Sequence, residues 1–348
     1  MKAAWFEQFG PAREVLRVGE QAKPRPAKGE VLVKVATSGV NPSDVKKRMG
    51  SAPNLLDQGP VIPHSDGAGV IEAVGEEVSD SRVGERVWVY QAQHERRLGT
   101  AAEYVALEES RAVELPGNTS FEVGACIGIP VMTAHRCVFA DGPVEGQTLV
   151  ATGGAGRVGH YAIQWAARAG ARVIATASNE ADAAMCMDAG AASVVNHRED
   201  DWAAQVVSAN SGRRVDRVID VEFGANLPSV LDMIRTSGTI VTYGSTVVTE
   251  PKLPFYQMMF MDLLVRLVIV YAMPESAKQA AIDDIDSALR ENQLQHRIAH
   301  IVPLTEISRA HELIEQGGFR GCVVVLANSD LGFQMHSETN SGRGAQVD

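Results

Sequence analysis

From about residue 124 onward, strand-like and helix-like runs of apolar residues alternate along the chain, and this alternation constrains the fold most. Its first members are the strand-like "TLVAT", the helix-like "GHYAIQWAARAG" and the strand-like "ARVIATA". It continues through "EADAAMCMDAG", "SVV", "DDWAAQVVSAN", "VDRVIDV" and "GTIVTYG". Strands that alternate with helices pair in parallel, so we predict an α/β region built on a doubly wound parallel sheet.

The residues before 124 are β-rich instead. "EVLVKVATSGV" alternates apolar and polar residues as a half-buried strand does, and "GAGVIEAVGEEV" and "GERVWVY" continue the pattern. After the parallel region, "LVIVYA" is predicted as the last strand of the parallel sheet. The segment from there up to "GCVVVLA" is predicted to carry a helix, a strand and the helix "TEISRAHELIEQG". The tail 328–348 is polar and aperiodic, which predicts disorder.

Composition and charge limit the possible partners. The chain has 348 residues, of which 45% are hydrophobic and 22% charged, enough for a core in each of two domains. The formal net charge is −11 and the basic residues are scattered, so neither nucleic acid nor a membrane surface is an expected partner.

The compartment is predicted to be the cytoplasm. The amino terminus has no apolar core of signal-peptide length, and the longest apolar run, 263–273, is short for a bilayer and contains Arg266. Four widely spaced cysteines form no C-x-x-C pair: Cys126, Cys137, Cys186 and Cys322. We expect individually buried thiols and no metal cage.

A glycine-rich turn, "ATGGAGRVG", lies between the first strand and the first helix of the alternation. Gly154, Gly156 and Gly159 match G-x-G-x-x-G. The preceding strand, the following helix and a second strand within about thirty residues complete the dinucleotide-binding fingerprint. We therefore predict that the turn and the helix N-terminus bind a pyrophosphate.

The residue at the end of the next strand, "ATASNE", helps to distinguish an NAD-binding site from an NADP-binding site. The fingerprint normally has an acidic residue there for the adenosine ribose hydroxyls of NAD, whereas this chain has Ser178. Without a carboxylate to repel a 2′-phosphate, NADP(H) is the predicted cofactor. Ser178, Asn179 and the pair His197-Arg198 are the candidate phosphate ligands.

Several motifs together resemble the zinc-free quinone oxidoreductases of the medium-chain dehydrogenase/reductase superfamily, the zeta-crystallin type. The motifs are "SGVNPSD", "IPHSDGAGVIEAVG", "GTAAEYV", "PVMTAHRCV", "GGAGRVG" and "VVNHRED". The resemblance implies a Rossmann domain, 125–271, inserted into a β-rich GroES-like catalytic domain, 1–124 plus 272–327, with the active site between them. It also implies a homodimer or homotetramer paired through the edge of the cofactor sheet.

Zinc is not expected. In zinc-dependent relatives, a cysteine and a His-Glu pair occupy positions that here read Asn41 and Ser65-Asp66, and His64 is one place away from the metal histidine. A catalytic zinc needs three Cys, His or carboxylate ligands, and this set cannot supply them. Without a Lewis acid, a quinone or enone that accepts hydride directly is a better substrate than an alcohol.

The resemblance assigns catalytic roles to two residues. Asn41 matches the asparagine of "GVNP", which faces the nicotinamide and hydrogen-bonds a substrate carbonyl; a turn cap before Pro42 is the alternative. Thr133 matches a threonine whose hydroxyl approaches the nicotinamide ring; a helix-interior threonine bonded to a carbonyl is the alternative. Lys46 stands where relatives often have a tyrosine near the cofactor.

The remaining matches are positions that contact the cofactor. Those at the diphosphate are Ala155, Gly156, Arg157 and Val158. Those at the adenosine end are Ser178 and His197. The others, which include the end of one strand and the strand that holds the carboxamide, are Asn226, Tyr243, Gly244, Ser245, Val268, Ile269 and Val270. Arg157 either pairs with phosphate or points to solvent, and His197 is otherwise a surface-loop histidine.

The leading hypothesis is an NADPH-dependent reductase of quinones or related conjugated carbonyls. An alkenal or enoyl reductase shares every motif, because the sequence defines the hydride donor better than the acceptor. A non-catalytic NADPH-binding protein, crystallin-like or RNA-binding, is the alternative of another class, and the acidic balance of the chain argues against RNA.

Overall fold

The computed structural model describes residues 1–328, so the predicted disordered tail 328–348 lies outside the described residues except for Asn328. The chain forms two compact units. Among the described residues, the first comprises Met1–Ile129 and residues 285–328, and the second comprises Pro130–Asp284. The predicted domains divide at 124/125 and 271/272, and the units divide at 129/130 and 284/285.

Fifteen strands are named in chain order. They are β1 Lys2–Trp5, β2 Arg17–Glu20, β3 Glu30–Val40, β4 Asp66–Val74, β5 Arg86–Val89, β6 Tyr104–Glu108, β7 Ala112–Glu114, β8 Thr148–Ala151, β9 Arg172–Ala177, β10 Ser193–Asn196, β11 Val215–Asp220, β12 Ile234–Thr242, β13 Leu264–Leu267, β14 Ile298–Pro303 and β15 Cys322–Leu326.

Helices are named in the same way. They are α1 Ala12–Val15, α2 Pro42–Lys46, α3 Phe121–Gly124, α4 Gly128–Phe139, α5 Arg157–Arg168, α6 Glu180–Asp188, α7 Trp202–Ala209, α8 Phe223–Met233, α9 Phe255–Phe260, α10 Glu275–Arg290 and α11 Ile307–Gln316. Short 3₁₀ turns include Val270–Ala272, and a π-helical turn, Lys47–Ser51, follows α2. No helix among residues 1–328 combines the length and apolar character needed to cross a bilayer.

The first unit is built on a seven-stranded sheet in the order β14-β15-β3-β4-β5-β7, with β6 also paired to β3. β3 is its central strand: it pairs with β4 along one edge and with β6 and β15 along the other. Most of β3 is buried on both faces, whereas the alternating pattern predicted a half-buried strand. The prediction was wrong because apolar clusters cover both faces of the sheet, one around Val33 and Val35 and one around Val323 and Val325.

The second unit confirms the predicted doubly wound parallel sheet. Its six strands run in the order β10-β9-β8-β11-β12-β13, the 3-2-1-4-5-6 order of the Rossmann fold. α5 packs against β8 and β9, and α8 packs against β11 and β12. Buried residues from these strands and from α7 and α8, among them Val150, Val206 and Leu231, form the core beneath one face.

The last strand of this sheet lies earlier than predicted. "LVIVYA", Leu267–Ala272, was expected to form it, but β13 ends at Leu267 and Val270 begins a 3₁₀ turn. The reason is the length of its neighbour: the register pairs Thr242, the last residue of β12, with Leu267. The N–H of Val268 still donates to the Thr242 carbonyl at 2.7 Å, at the point where β12 ends.

Candidate functional site

The glycine-rich turn of the second unit packs so closely that side chains are excluded from it. A Cβ on Gly154 would lie 2.8 Å from the Cys186 sulfur, and one on Gly159 would lie 2.5 Å from the Gly153 oxygen. Gly156 is the N-cap of α5. The turn and the first residues of α5 therefore present backbone N–H groups at a helix N-terminus, which fits a diphosphate. The four predicted diphosphate contacts lie here: Ala155, Gly156, Arg157 and Val158.

Two polar side chains that sequence reasoning missed hold this turn in place. The Thr176 hydroxyl accepts a hydrogen bond from the Gly153 N–H at 3.0 Å. Asp220, at the end of β11, accepts from the Thr152 hydroxyl at 2.6 Å, and burial raises the pKa of its carboxyl. Asn226 was predicted to reach the cofactor, and its side-chain Nδ2 donates to the same Asp220 oxygen at 2.8 Å.

The adenosine-end candidates lie side by side. β9 and β10 are parallel neighbours, and Ala177 pairs with Asn196 at their carboxyl ends, so Ser178 and His197 follow two adjacent strands. The pKa of His197 is lowered by burial and by the charge of Arg198. Asn179 is engaged elsewhere: its side chain caps α6, accepting from the Asp182 N–H at 2.9 Å and donating to the Asp182 carboxylate.

A cavity of about 480 Å³ opens at the carboxyl ends of β12 and β13. It has eleven lining residues: Phe223, Thr242, Tyr243, Gly244, Ser245, Thr249, Pro251, Leu253, Leu267, Val268 and Ile269. Five of the predicted cofactor contacts are among them, Tyr243, Gly244, Ser245, Val268 and Ile269, whereas Val270 is buried and is not a lining residue. Burial raises the pKa of the Tyr243 phenol well above its ordinary value, so this side chain is a neutral donor. Sequence reasoning missed the segment that contributes Thr249, Pro251 and Leu253.

Thr133 lies in α4 and its side chain is buried. Lys46, in contrast, is exposed at the end of α2. The next residue, Lys47, is turned inward: its ammonium donates to the Gln93 carbonyl at 2.7 Å and to the Gln93 side chain at 2.9 Å. Burial lowers the pKa of Lys47. The lysine of this segment that faces inward is therefore Lys47, whereas the family resemblance indicated Lys46.

Asn41 in the first unit is tied to a buried carboxyl group. Its Nδ2 donates to Asp66 Oδ2 at 2.8 Å, and the N–H of Ile129 donates to the same oxygen at 2.8 Å. Burial raises the pKa of Asp66 well above its ordinary value. Asn41 is also the N-cap of α2, and its own N–H donates to Asp44. A Cβ on Gly128 would lie 2.2 Å from Asp66 Oδ1, so only glycine fits beside the carboxyl group.

A buried chain of hydrogen bonds begins next to this carboxyl group. Thr100 donates its hydroxyl proton to the Asp66 carbonyl at 2.6 Å, so it accepts from Ser38, at 2.7 Å. Ser38 has then used its only proton and must accept from His64 Nδ1, at 2.8 Å. His64 Nε2 is therefore an acceptor, and His311 Nε2, 2.9 Å away, is its donor.

Burial keeps both histidines neutral, and in the neutral form this series of hydrogen bonds defines their tautomers. Burial lowers the pKa of His64 to about 3, and burial, His64 and Arg48 lower that of His311 well below its ordinary value. His64 also has a φ of 77°, a left-handed conformation that non-glycine residues adopt rarely. His64, the residue next to the position of the metal histidine, thus belongs to a hydrogen-bond chain. Among residues 1–328, no three His, Cys, Asp or Glu side chains are grouped so that they could hold a metal ion.

Comparison with known proteins places both units in one family. Residues 27–117 match the Alcohol dehydrogenase GroES-like domain, and residues 158–287 match the Zinc-binding dehydrogenase family. The quinone oxidoreductase of Lama guanicoe is 30% identical over 334 residues, which cover 94% of this chain and 97% of that protein.

Solved structures agree with this assignment. An NAD-dependent alcohol dehydrogenase superposes with a TM-score of 0.84 at 27% identity, over 94% of this chain and 100% of that chain. A mycobacterial protein complexed with NADPH superposes with a TM-score of 0.83 at 27% identity, over the same shares. The predicted combination of a GroES-like and a Rossmann domain is thereby confirmed. The chain belongs to the quinone oxidoreductases of the medium-chain dehydrogenase/reductase superfamily and is an oxidoreductase.

Proposed function

We propose that the protein reduces quinones or related conjugated carbonyls with NADPH and without zinc. The observation that carries this proposal is the bond between Asn41 Nδ2 and Asp66 Oδ2. By the family resemblance, these residues occupy positions that hold a cysteine and a glutamate in zinc-dependent relatives. They form an amide–carboxyl pair in which burial favours the neutral acid. A neutral carboxyl group and an amide are poor zinc ligands, so the site lacks a Lewis acid for alcohol oxidation.

Several groups support NADPH as the cofactor. The turn and N-terminus of α5 would hold the diphosphate. Ser178, with His197, would hold the adenosine end, since Ser178 stands at the position where the fingerprint normally has a carboxylate that repels a 2′-phosphate. The cavity at the ends of β12 and β13 would hold the nicotinamide. NADPH supplies hydride from C4 of that ring. The mycobacterial relative solved with NADPH adds support for this choice.

In this proposal Asn41 orients the acceptor. An amide nitrogen carries two N–H groups, and Asp66 accepts one of them, so the other serves as a donor to a substrate carbonyl. A hydrogen bond aimed at the oxygen where charge develops stabilises the transition state, and a conjugated acceptor spreads that charge further. Thr133 would place its hydroxyl near the nicotinamide, as the family resemblance implies.

We also propose that the protein is a cytoplasmic homodimer or homotetramer paired through β13. One side of β13 pairs with β12, and no strand within residues 1–328 pairs with its other side. Large apolar side chains are exposed along this edge and the adjoining α9: Tyr256, Phe260, Leu264, Leu267 and Ile269. An unpaired apolar edge is a pairing site for another strand.

The proposed cytoplasmic location rests on the cysteines. All four are buried thiols, which agrees with a reducing compartment.

The test is NADPH oxidation, followed by absorbance, with 1,4-benzoquinone, 9,10-phenanthrenequinone, an alkenal or a simple aldehyde as the acceptor. We expect turnover with the quinones and none with the aldehyde. Preference for the alkenal would make the protein an enone reductase with the same hydride donor. Tight NADPH binding without turnover of any acceptor would contradict the proposal and favour a non-catalytic role.

A further inference from the structure

Three consecutive residues at the start of α8 hold the segment that follows β12. The Phe223 N–H donates to the Gly244 carbonyl at 2.9 Å, and the Gly224 N–H donates to the Ser245 hydroxyl at 2.9 Å. Ser245 in turn donates to the Val248 carbonyl at 2.5 Å. We call this contact between Glu222–Gly224 and Gly244–Val248 the clasp.

Glu222 supplies the charged part of the clasp. Its carboxylate accepts from the Thr246 N–H at 2.8 Å, from the Thr246 hydroxyl at 2.6 Å and from the Val247 N–H at 2.9 Å. Although partial burial acts in the opposite direction, these bonds lower the pKa of Glu222, so the carboxylate is charged near neutral pH. Successive backbone N–H groups around one anion form a nest, and here the anion belongs to the chain itself.

Burial of apolar side chains does not hold this segment. Val247 is 76% exposed and Leu253 is 56% exposed. Hydrogen bonds to a charged acceptor are stronger than neutral ones, so the Glu222 contacts are the principal anchor of Thr246 and Val247. The residues that follow include Thr249, Pro251 and Leu253, which line the cavity at the ends of β12 and β13.

We propose that Glu222 is a positioning residue for the cofactor pocket. Its carboxylate fixes the segment after β12 as a wall of the cavity, and this preformed wall contributes to the affinity for the nicotinamide end of NADPH. The inference rests on the proposed function, because it takes NADPH as the occupant of the cavity. It gives Glu222 no contact with the reacting atoms, so binding should depend on this residue more than the chemical step does.

The experiment compares Glu222→Ala and Glu222→Gln with the full-length wild-type protein. Gln keeps a side-chain acceptor for one or two of the N–H donors, whereas Ala keeps none. Glu250→Ala is the matched control, since it removes an exposed carboxylate from the same segment. The measurements are amide hydrogen exchange without cofactor, the Kd for NADPH, and kcat and KM with a quinone acceptor.

For Glu222→Ala we expect exchange at Thr246 and Val247 to accelerate about tenfold or more, and the Kd and KM for NADPH to rise about tenfold. We expect kcat at saturating NADPH to change by less than about threefold. Glu222→Gln should give intermediate values, and Glu250→Ala should resemble wild type.

Two results would overturn the inference on its own. The first is faster exchange in Glu222→Ala with an unchanged Kd for NADPH. This result would mean that the clasp orders the segment locally but does not contribute to cofactor binding. The second is an equal loss of affinity in Glu250→Ala, which would indicate a general charge effect. Failure of the wild-type protein to bind NADPH would instead refute the proposed function, and this inference with it.

Discussion

Among single residues, the proposed chemistry depends on side chains held in one protonation state. Asp66 is kept neutral by burial, and it orients the amide of Asn41. The sequence indicated the importance of Asn41 through a motif, but its partner is 25 positions away and His64 bonds to His311 across 247 positions. Contacts over such separations form only when the chain folds and brings loops, helices and strands together, which explains why sequence reasoning did not find them.

Ser178 tests the cofactor preference. Replacing Ser178 with Asp places a negative charge after β9, beside His197, where the 2′-phosphate is proposed to bind. We expect the ratio of kcat/KM for NADPH over NADH to fall about tenfold or more, since like charges at close range repel. Steady-state kinetics with both cofactors would measure the ratio. An unchanged ratio would mean that the phosphate binds elsewhere.

Substitution of His311 tests whether the buried histidine pair is neutral in the folded protein. A histidine whose pKa is lowered in the folded state binds fewer protons there than in the unfolded chain. The free energy of unfolding therefore falls as the pH drops below 6.5, and for His64 it continues to fall until about pH 3. Each such group contributes a slope of about 1.4 kcal/mol per pH unit.

His311→Gln keeps an N–H donor for His64 but removes one titrating group, so we expect its stability to depend less steeply on pH. Urea unfolding of wild type and variant between pH 7 and about pH 5 would measure the two slopes. Equal slopes would show that His311 is not held neutral.

At the scale of elements, local patterns predicted structure well where neighbouring residues determine it. The β8–turn–α5 unit follows its sequence signals because glycine conformation and helix capping are local properties. The strand predicted from "LVIVYA" failed because its pairing neighbour, β12, ends at Thr242, which is paired with Leu267. The apolar pattern of that run gave no information about the length of its neighbour.

Gly159 tests the packing of the glycine-rich turn. A methyl group at Gly159 would lie 2.5 Å from a backbone oxygen, so Gly159→Ala must move the turn or the start of α5. We expect a loss of about 1–3 kcal/mol in the free energy of unfolding, together with weaker NADPH binding. Gly117→Ala is the control, because nothing lies within 4 Å of its Cβ. Denaturant unfolding would refute the argument if the two variants were equally stable.

For the whole molecule, the main prediction concerns β13, whose outer edge pairs with no strand among residues 1–328. We propose that this edge binds a second subunit. We expect Leu264→Lys, which adds charge to this edge, to raise the dissociation constant between subunits about tenfold or more. Val83→Lys replaces a similarly exposed apolar residue away from the edge and should have no effect. Sedimentation velocity over a range of protein concentrations would distinguish the variants, and a monomeric wild-type protein would contradict the proposed assembly.

We propose above that hydride transfer from NADPH to a quinone proceeds without zinc. The most direct measurement is the initial rate of NADPH oxidation by 9,10-phenanthrenequinone before and after exhaustive treatment with a chelator. We expect the same rate in both samples, because the family resemblance matches Asn41 and the neutral Asp66 to the cysteine and the glutamate of zinc-dependent relatives, and an amide–carboxyl pair is a poor set of zinc ligands. A rate that falls on chelation and returns when zinc is added would contradict the account.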